Sequence, residues 1–174
     1  DRCVELFQKA GVADGIEISH VGHPKGGWGG PVELSSVRAR KKDTGEAVSL
    51  DYEHGLKPLL ADLERHLEEK GWLQKAMIHI SDEPAIQNVA SWREASELVR
   101  QAAPRLRRID AIETIDFDGA LEVWVPKLSQ WDAWRQAFLK RSDRVEFWYY
   151  ICCHPYGNVY PNRFLDYPTT CVRV

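Results

Sequence analysis

The 174-residue sequence predicts an α/β protein, a parallel sheet covered by helices. Three observations predict it. Apolar runs of strand length alternate with helical patterns through most of the chain, the order expected of βα units. One run, Lys75 to Ser81, ends abruptly in Asp82-Glu83-Pro84, and the tips of buried strands are where α/β barrels and open α/β sheets keep their chemistry. No glycine-rich phosphate motif follows any strand, which disfavours the nucleotide-binding versions of the class. The pattern leaves two architectures open, a (β/α) barrel and a doubly wound sheet. It contains five core strands, fewer than the eight of a closed barrel.

The elements follow in order. Val4 to Ala10 reads as the tail of a helix stopped at Gly11. Gly15 to Val21 alternates apolar and polar residues as a strand does. Lys25 to Gly30 holds four glycines and is a loop, because ordering so many glycines is entropically costly. Val32 to Arg40 and Ala47 to Tyr52 form a hairpin around Asp43-Thr44-Gly45. Leu56, Leu59, Leu60, Leu63 and Leu67 mark the apolar stripe of a helix ending at Gly71. The Lys75–Ser81 strand comes next. Ser91-Trp92-Arg93-Glu94 reads as a capping box for a helix running to about Ala103. Arg108 to Glu113 and Leu121 to Val125 are strands, the second stopped by Pro126. Ser129 to Asp132 is a second capping box, with Trp131, Trp134 and Phe138 as the buried stripe of its helix. Arg144 to Cys153 is the most apolar strand, and an aromatic, proline-rich loop follows it.

Composition narrows the function. With 44% apolar and 28% charged residues the chain is an ordinary globular one, and its length is that of one domain. A net charge of −3 offers no basic footprint for nucleic acid or anionic membrane. No apolar run reaches spanning length. The chain opens at Asp1 with neither an initiator Met nor a signal-like segment, so the expectation is a piece of something longer. Its compartment is not legible; a secreted or periplasmic location is compatible with it. Four cysteines make no C-x-x-C pair and no zinc-finger spacing, which leaves reduced, buried thiols as the default and a Cys3–Cys171 bridge as an option. Seven Trp, six Tyr and five Phe suit sugar rings, whose C–H faces stack on flat side chains.

Asp82 and Glu83 are the leading catalytic candidates. Adjacent strand residues face opposite ways, so both reach one site only if the strand loses regularity there. Pro84 favours that and holds Glu83 extended. The competing reading is a plain cap, with Ser81 or Asp82 opening a helical turn near Pro84. His20 and His23 flank the glycine-rich loop. They lack a third metal ligand in sequence, and no metal is expected; His20 is a candidate for substrate hydrogen bonding. Trp28 in the loop is placed to fold over a ligand, or to plug the core. Trp124 near a strand end, with Tyr150, Tyr156, Asn162 and Arg163, completes a set suited to a polyol. Cys152, Cys153 and His154 do not make a nucleophile–base pair, because sequence neighbours rarely reach that geometry, and no G-x-S-x-G elbow supports a serine triad.

Four segments in register carry a family resemblance. His79 to Pro84 resembles the catalytic segment of glycoside hydrolase family 123, the β-N-acetylgalactosaminidase-like barrels and their bacterial relatives. Ile16 to His20 with Trp28-Gly29, Val123 to Pro126, and Trp148 to Pro155 followed by Tyr160 to Pro168 are similar to three further stretches of that family. The resemblance implies a (β/α)8 TIM-barrel type fold, incomplete here, with residues 1–174 as the central part of a single catalytic barrel. Its first and last strands, and a flanking β-sandwich domain, would lie outside this chain. It also implies retaining, substrate-assisted cleavage of β-linked N-acetylhexosamine, N-acetylgalactosamine favoured, without a cofactor. Glu83 would be the acid/base, Asp82 the partner of the acetamido N–H, and the tyrosine Tyr150 a partner of the acetamido oxygen. The partner would be a glycan or glycolipid. Two alternatives stand beside this: a catalytically inactive carbohydrate-binding barrel, and a metal-dependent hydrolase using His20, His23 and Glu83.

Overall fold

The structure, a computed structural model, describes residues 1–12, 14–127, 131–141 and 144–150, with the backbone alone for 131–134. Its centre is a five-stranded sheet of β1 (Ile16–Ile18), β6 (Ala76–His79), β7 (Arg107–Ile112), β8 (Val123–Pro126) and β9 (Glu146–Phe147), in that spatial order and parallel throughout. Two small antiparallel pairs lie outside it. β2 (Gly22–Pro24) pairs with β3 (Val32–Leu34), and β4 (Val37–Arg40) with β5 (Ala47–Leu50).

The sheet is apolar on both faces, as a parallel sheet with covered faces should be. Ala76, Ile78 and Ile80 pack with Ile112 and Trp124 against Leu60 and Leu67 of α2 (Lys57–Glu69), Trp92 and Val99 of α3 (Val89–Ala102) and Phe138 of α4 (Trp131–Leu139). The intervening positions Met77, Ile109 and Val123 form a separate cluster with Val125 and Trp148. The period-two alternation of a strand separates the two sets. α1 (Arg2–Lys9) buries no residue, and Cys3 on it is exposed, contrary to the buried-thiol default. Cys152, Cys153 and Cys171 lie outside the described residues.

The element order matches the sequence reading; several boundaries do not. The first predicted strand, Gly15 to Val21, is shorter than expected, and an extra strand follows it. β1 stops at Ile18, and Gly22 to Pro24 pairs with β3 instead. The hairpin is β4–β5, while Val32 to Leu34 belongs to the other pair. Leu59 of the predicted stripe is 51% exposed. Ser91 is no N-cap: α3 already starts at Val89, and the Ser91 hydroxyl accepts from Val32 N–H while donating to the Asn88 carbonyl. A tertiary acceptor role has replaced the local one. Leu128 to Gln130 lie outside the described residues, and with them Ser129 and Gln130 of the second capping box. No closed barrel is present among the described residues; the sheet is an open, sequentially ordered arc. Among them no helix is long and apolar enough to cross a membrane.

Candidate active site

The carboxyl ends of the five parallel strands supply the polar side chains. His20 follows β1, Asp82 and Glu83 follow β6, Glu113 follows β7, Lys127 follows β8 and Tyr150 follows β9. This is the end of the sheet at which α/β proteins place reactive groups.

The β6 tip leaves the ladder by a definable device. Asp110, wholly buried in β7, turns its carboxylate towards the tip. Its Oδ2 accepts from the N–H groups of Ile80 at 3.2 Å and Ser81 at 3.1 Å, and from the Trp92 indole at 2.8 Å. A side chain therefore takes the donors that a continuing strand would give to a neighbouring backbone. On the other flank Val21 and Gly22 donate to the carbonyls of His79 and Ile80. A β-carbon at Gly22 would stand 2.9 Å from the Glu33 carbonyl oxygen and 3.0 Å from that of Ile80, so only glycine allows this approach. The expected break before Asp82 is present. Glu83, however, is not extended: its φ is +39°, the left-handed region disfavoured for side-chain-bearing residues. Tertiary contacts override the local bias of the following proline, and strain of this kind collects at functional sites.

The two carboxylates face opposite flanks of β6. Asp82, 81% exposed, has an oxygen 3.9 Å from His20 Nε2. Glu83, 28% exposed, accepts from the Tyr150 hydroxyl at 2.5 Å, and the Lys127 ammonium stands 3.8 Å from the same oxygen. Lys127 also pairs with Glu113 at 2.7 Å and lies 5.9 Å from the centre of the Tyr150 ring. Register builds this cluster. Ile112 is opposite Pro126, so Glu113 and Lys127 leave neighbouring strands side by side, and the parallel bridge of Lys127 with Tyr150 brings in the third strand.

His79 lies below His20, ring centres 4.8 Å apart. Its Nδ1 is 3.0 Å from Asp110 Oδ1 and its Nε2 is 3.3 Å from Glu17 Oε2. The hydrogen bond to Asp110 raises the imidazole above the ordinary histidine value. Burial pushes the Asp110 carboxyl up as well, against the pull of His79, the Ser81 amide and the Trp92 indole. Three N–H donors converge on Asp110 Oδ2, which favours the carboxylate and with it a proton on His79 Nδ1.

The remaining sequence candidates fall in several places. Trp28 is 64% exposed on its loop, which is tied to the segment before α3 by the Asn88 amide donating to the Gly30 carbonyl. Trp124 is not at a binding surface. It faces the helix layer, wholly buried, edge-on to Phe138 and Phe147 at 5.4 and 5.9 Å, and this corrects its expected role as a substrate contact. Tyr156, Asn162, Arg163 and His154 lie outside the described residues. His23, exposed on β2, meets the Ser35 hydroxyl just past β3 at 3.3 Å. The cluster with metal-ligand character is His20, His79 and Asp110, whose ligand atoms lie within 4.8 Å of one another. Asp110 fits a metal poorly, since its Oδ2 already accepts three N–H donors and its Oδ1 is engaged with His79 Nδ1. Sequence reading missed Asp110, Glu113 and Lys127. Two signals marked them: a lone acid inside the apolar Ile109–Ile112 run, and charged residues directly after parallel strands.

Comparison with known proteins gives a consistent picture. The family model described as "Glycoside hydrolase 123, catalytic domain" matches residues 1–174. Nine chains of solved structures match. One is a family 123 glycoside hydrolase from Clostridium perfringens, studied for glycolipid glycan hydrolysis, with a TM-score of 0.56 and 15% identity. The match covers 89% of this chain and 29% of that one, so the present chain spans under a third of its relative's length. At that identity the likeness is one of fold. No curated protein matches.

Proposed function

Because the chain belongs to the glycoside hydrolase 123 catalytic-domain family, we propose that it cleaves a glycosidic bond at the carboxyl edge of its parallel sheet, with Glu83 as acid/base and Asp82 beside it. The observation that carries the reading is the setting of Glu83: a strained residue at a strand tip, bonded by Tyr150 and faced by Lys127. The sheet is read as an arc of a (β/α)8 barrel. Its strands follow one another without the order reversal of a doubly wound sheet, and its second face is apolar too.

The substrate proposed is a β-linked N-acetylhexosamine, N-acetylgalactosamine first, on a glycan or glycolipid. The acetamido oxygen attacks the anomeric carbon as the glycosidic bond breaks, and protonated Glu83 gives its proton to the departing oxygen. Glu83, now anionic, takes a proton from the water that opens the oxazolinium ring. Asp82 accepts from the acetamido N–H and balances the positive charge that develops on the ring. No enzyme nucleophile is needed on the far face of the sugar, so this route departs from the two-carboxylate scheme. His20, 3.9 Å from Asp82, is assigned to orient that carboxylate or a sugar hydroxyl. In the resting protein Tyr150 holds Glu83; to serve the acetamido oxygen it must change acceptor.

The test uses aryl β-N-acetylgalactosaminide and glucosaminide, with Glu83→Gln alongside. Wild type should release the aryl group and the variant should lose roughly 10²- to 10⁴-fold. Sugar binding without release would replace the enzyme reading with a carbohydrate-binding module. Undiminished hydrolysis of a 2-hydroxyl analogue would remove the assisted mechanism.

A further inference from the structure

We propose that Lys127 is a positioning residue for Glu83, and that Glu113 is its counterweight. The inference rests on the reading of Glu83 as acid/base. Such a group must be neutral before the first proton transfer and anionic before the second. A lysine paired with Glu83 alone would hold it as the anion. With no cation nearby, the anion would stand among the like charges of Asp82 and Glu113.

The structure divides one cation between two carboxylates. Lys127 makes its direct ion pair with Glu113 at 2.7 Å and leaves Glu83 at 3.8 Å, beyond hydrogen-bond contact but well within Coulomb range. Its side chain is only 15% exposed, so water screens the field incompletely. The Tyr150 ring flanks the ammonium while the Tyr150 hydroxyl bonds Glu83 Oε1, which limits how far either partner shifts. When Glu83 is protonated, the lysine and Glu113 are a neutral pair. When Glu83 gives up its proton, the same lysine is one short movement away. The charged and titratable groups facing Glu83 among the described residues are Tyr150, Lys127 and, through Lys127, Glu113; Asp82 turns to His20.

The arrangement predicts shifts of opposite sign from two neutralising substitutions, which a merely structural role would not produce. The carboxyl titration of Glu83 is followed by ¹³C NMR in the full chain labelled at glutamate, the signal being assigned by its loss in Glu83→Gln. Lys127→Met should move proton release from Glu83 to higher pH, and Glu113→Gln to lower pH by removing the negative charge that the lysine directly pairs with. Lys127→Arg should stay near wild type, and the double variant should return towards it. The alkaline limb of kcat/KM on the aryl glycoside should move with the titration in each variant. Shifts of the same sign, or none, would overturn the proposal. The near-isosteric Glu113→Gln decides the matter by itself should Lys127→Met not fold. The titration needs no turnover: a protein that cleaves no glycoside refutes the enzyme reading, while the signs of the shifts still judge the lysine.

Discussion

The Tyr150 hydroxyl reaches Glu83 Oε1 across 67 positions of sequence. The bond joins the end of β9 to the end of β6 and passes over the two strands between them. It fixes one oxygen of the proposed acid/base.

Removing that hydroxyl should therefore act through Glu83. Hydrogen bonds to charged groups contribute about 1.5 to 3 kcal/mol, so Tyr150→Phe should lower kcat/KM roughly ten- to a hundredfold. Introduced into Glu83→Gln it should cost nothing further. The measurement is a double-mutant cycle on the aryl glycoside, and equal losses in both backgrounds would show that Tyr150 works elsewhere.

Stability should depend on pH through His79. Its folded value is raised above 6.5 chiefly by the bond to Asp110, with Glu17 adding to it. The folded protein thus holds this proton more tightly than the unfolded chain. The stabilisation is fully present below 6.5 and is lost as pH rises through the folded value. Urea midpoints measured from below pH 6.5 upwards should fall across that window in wild type, and the fall should be blunted in His79→Gln. A wild-type profile flat through the window, or one unchanged in the variant, would contradict the assignment.

Trp124 and Trp28 should separate cleanly. Trp124→Ala removes a wholly buried ring and should cost about 3 to 5 kcal/mol of folding stability. Trp28→Ala, on an exposed loop, should leave stability within about 0.5 kcal/mol and raise KM if the loop meets sugar. Denaturant unfolding and Michaelis constants read both; a KM effect from Trp124→Phe at unchanged stability would return that residue to the site.

What the sequence disclosed, and what it withheld, follows physical lines. Elements with their own period were legible: α2 and α3, the apolar β6, and β7 each lie within a few residues of where the pattern puts them. The position of Asp82 and Glu83 just past a strand end was legible because the apolar run stops there. The conformation of Glu83 was not, since Pro84 biases its neighbour towards extended backbone, whereas tertiary contacts, the captured donors at Ile80 and Ser81 among them, accompany the turn of the chain. Trp124 misled because a strand end says nothing about which face a residue takes. Glu113 and Lys127 acquire meaning only through register, a relation between segments that no local pattern contains. Ser91 fitted a cap motif and was recruited by Val32.

The sequential order of the sheet has a consequence for assembly. Its five strands lie in the order in which a ribosome makes them, so among the described residues the polar groups emerge as His20, the carboxylates, Glu113, Lys127 and then Tyr150. Until β9 docks, Glu83 lacks the Tyr150 hydroxyl, and a nascent chain carries the proposed acid without that restraint. The restraint on the proposed acid/base thus waits on a contact 67 positions apart in sequence, and a kinetic probe of the Tyr150–Glu83 bond would report when β9 docks.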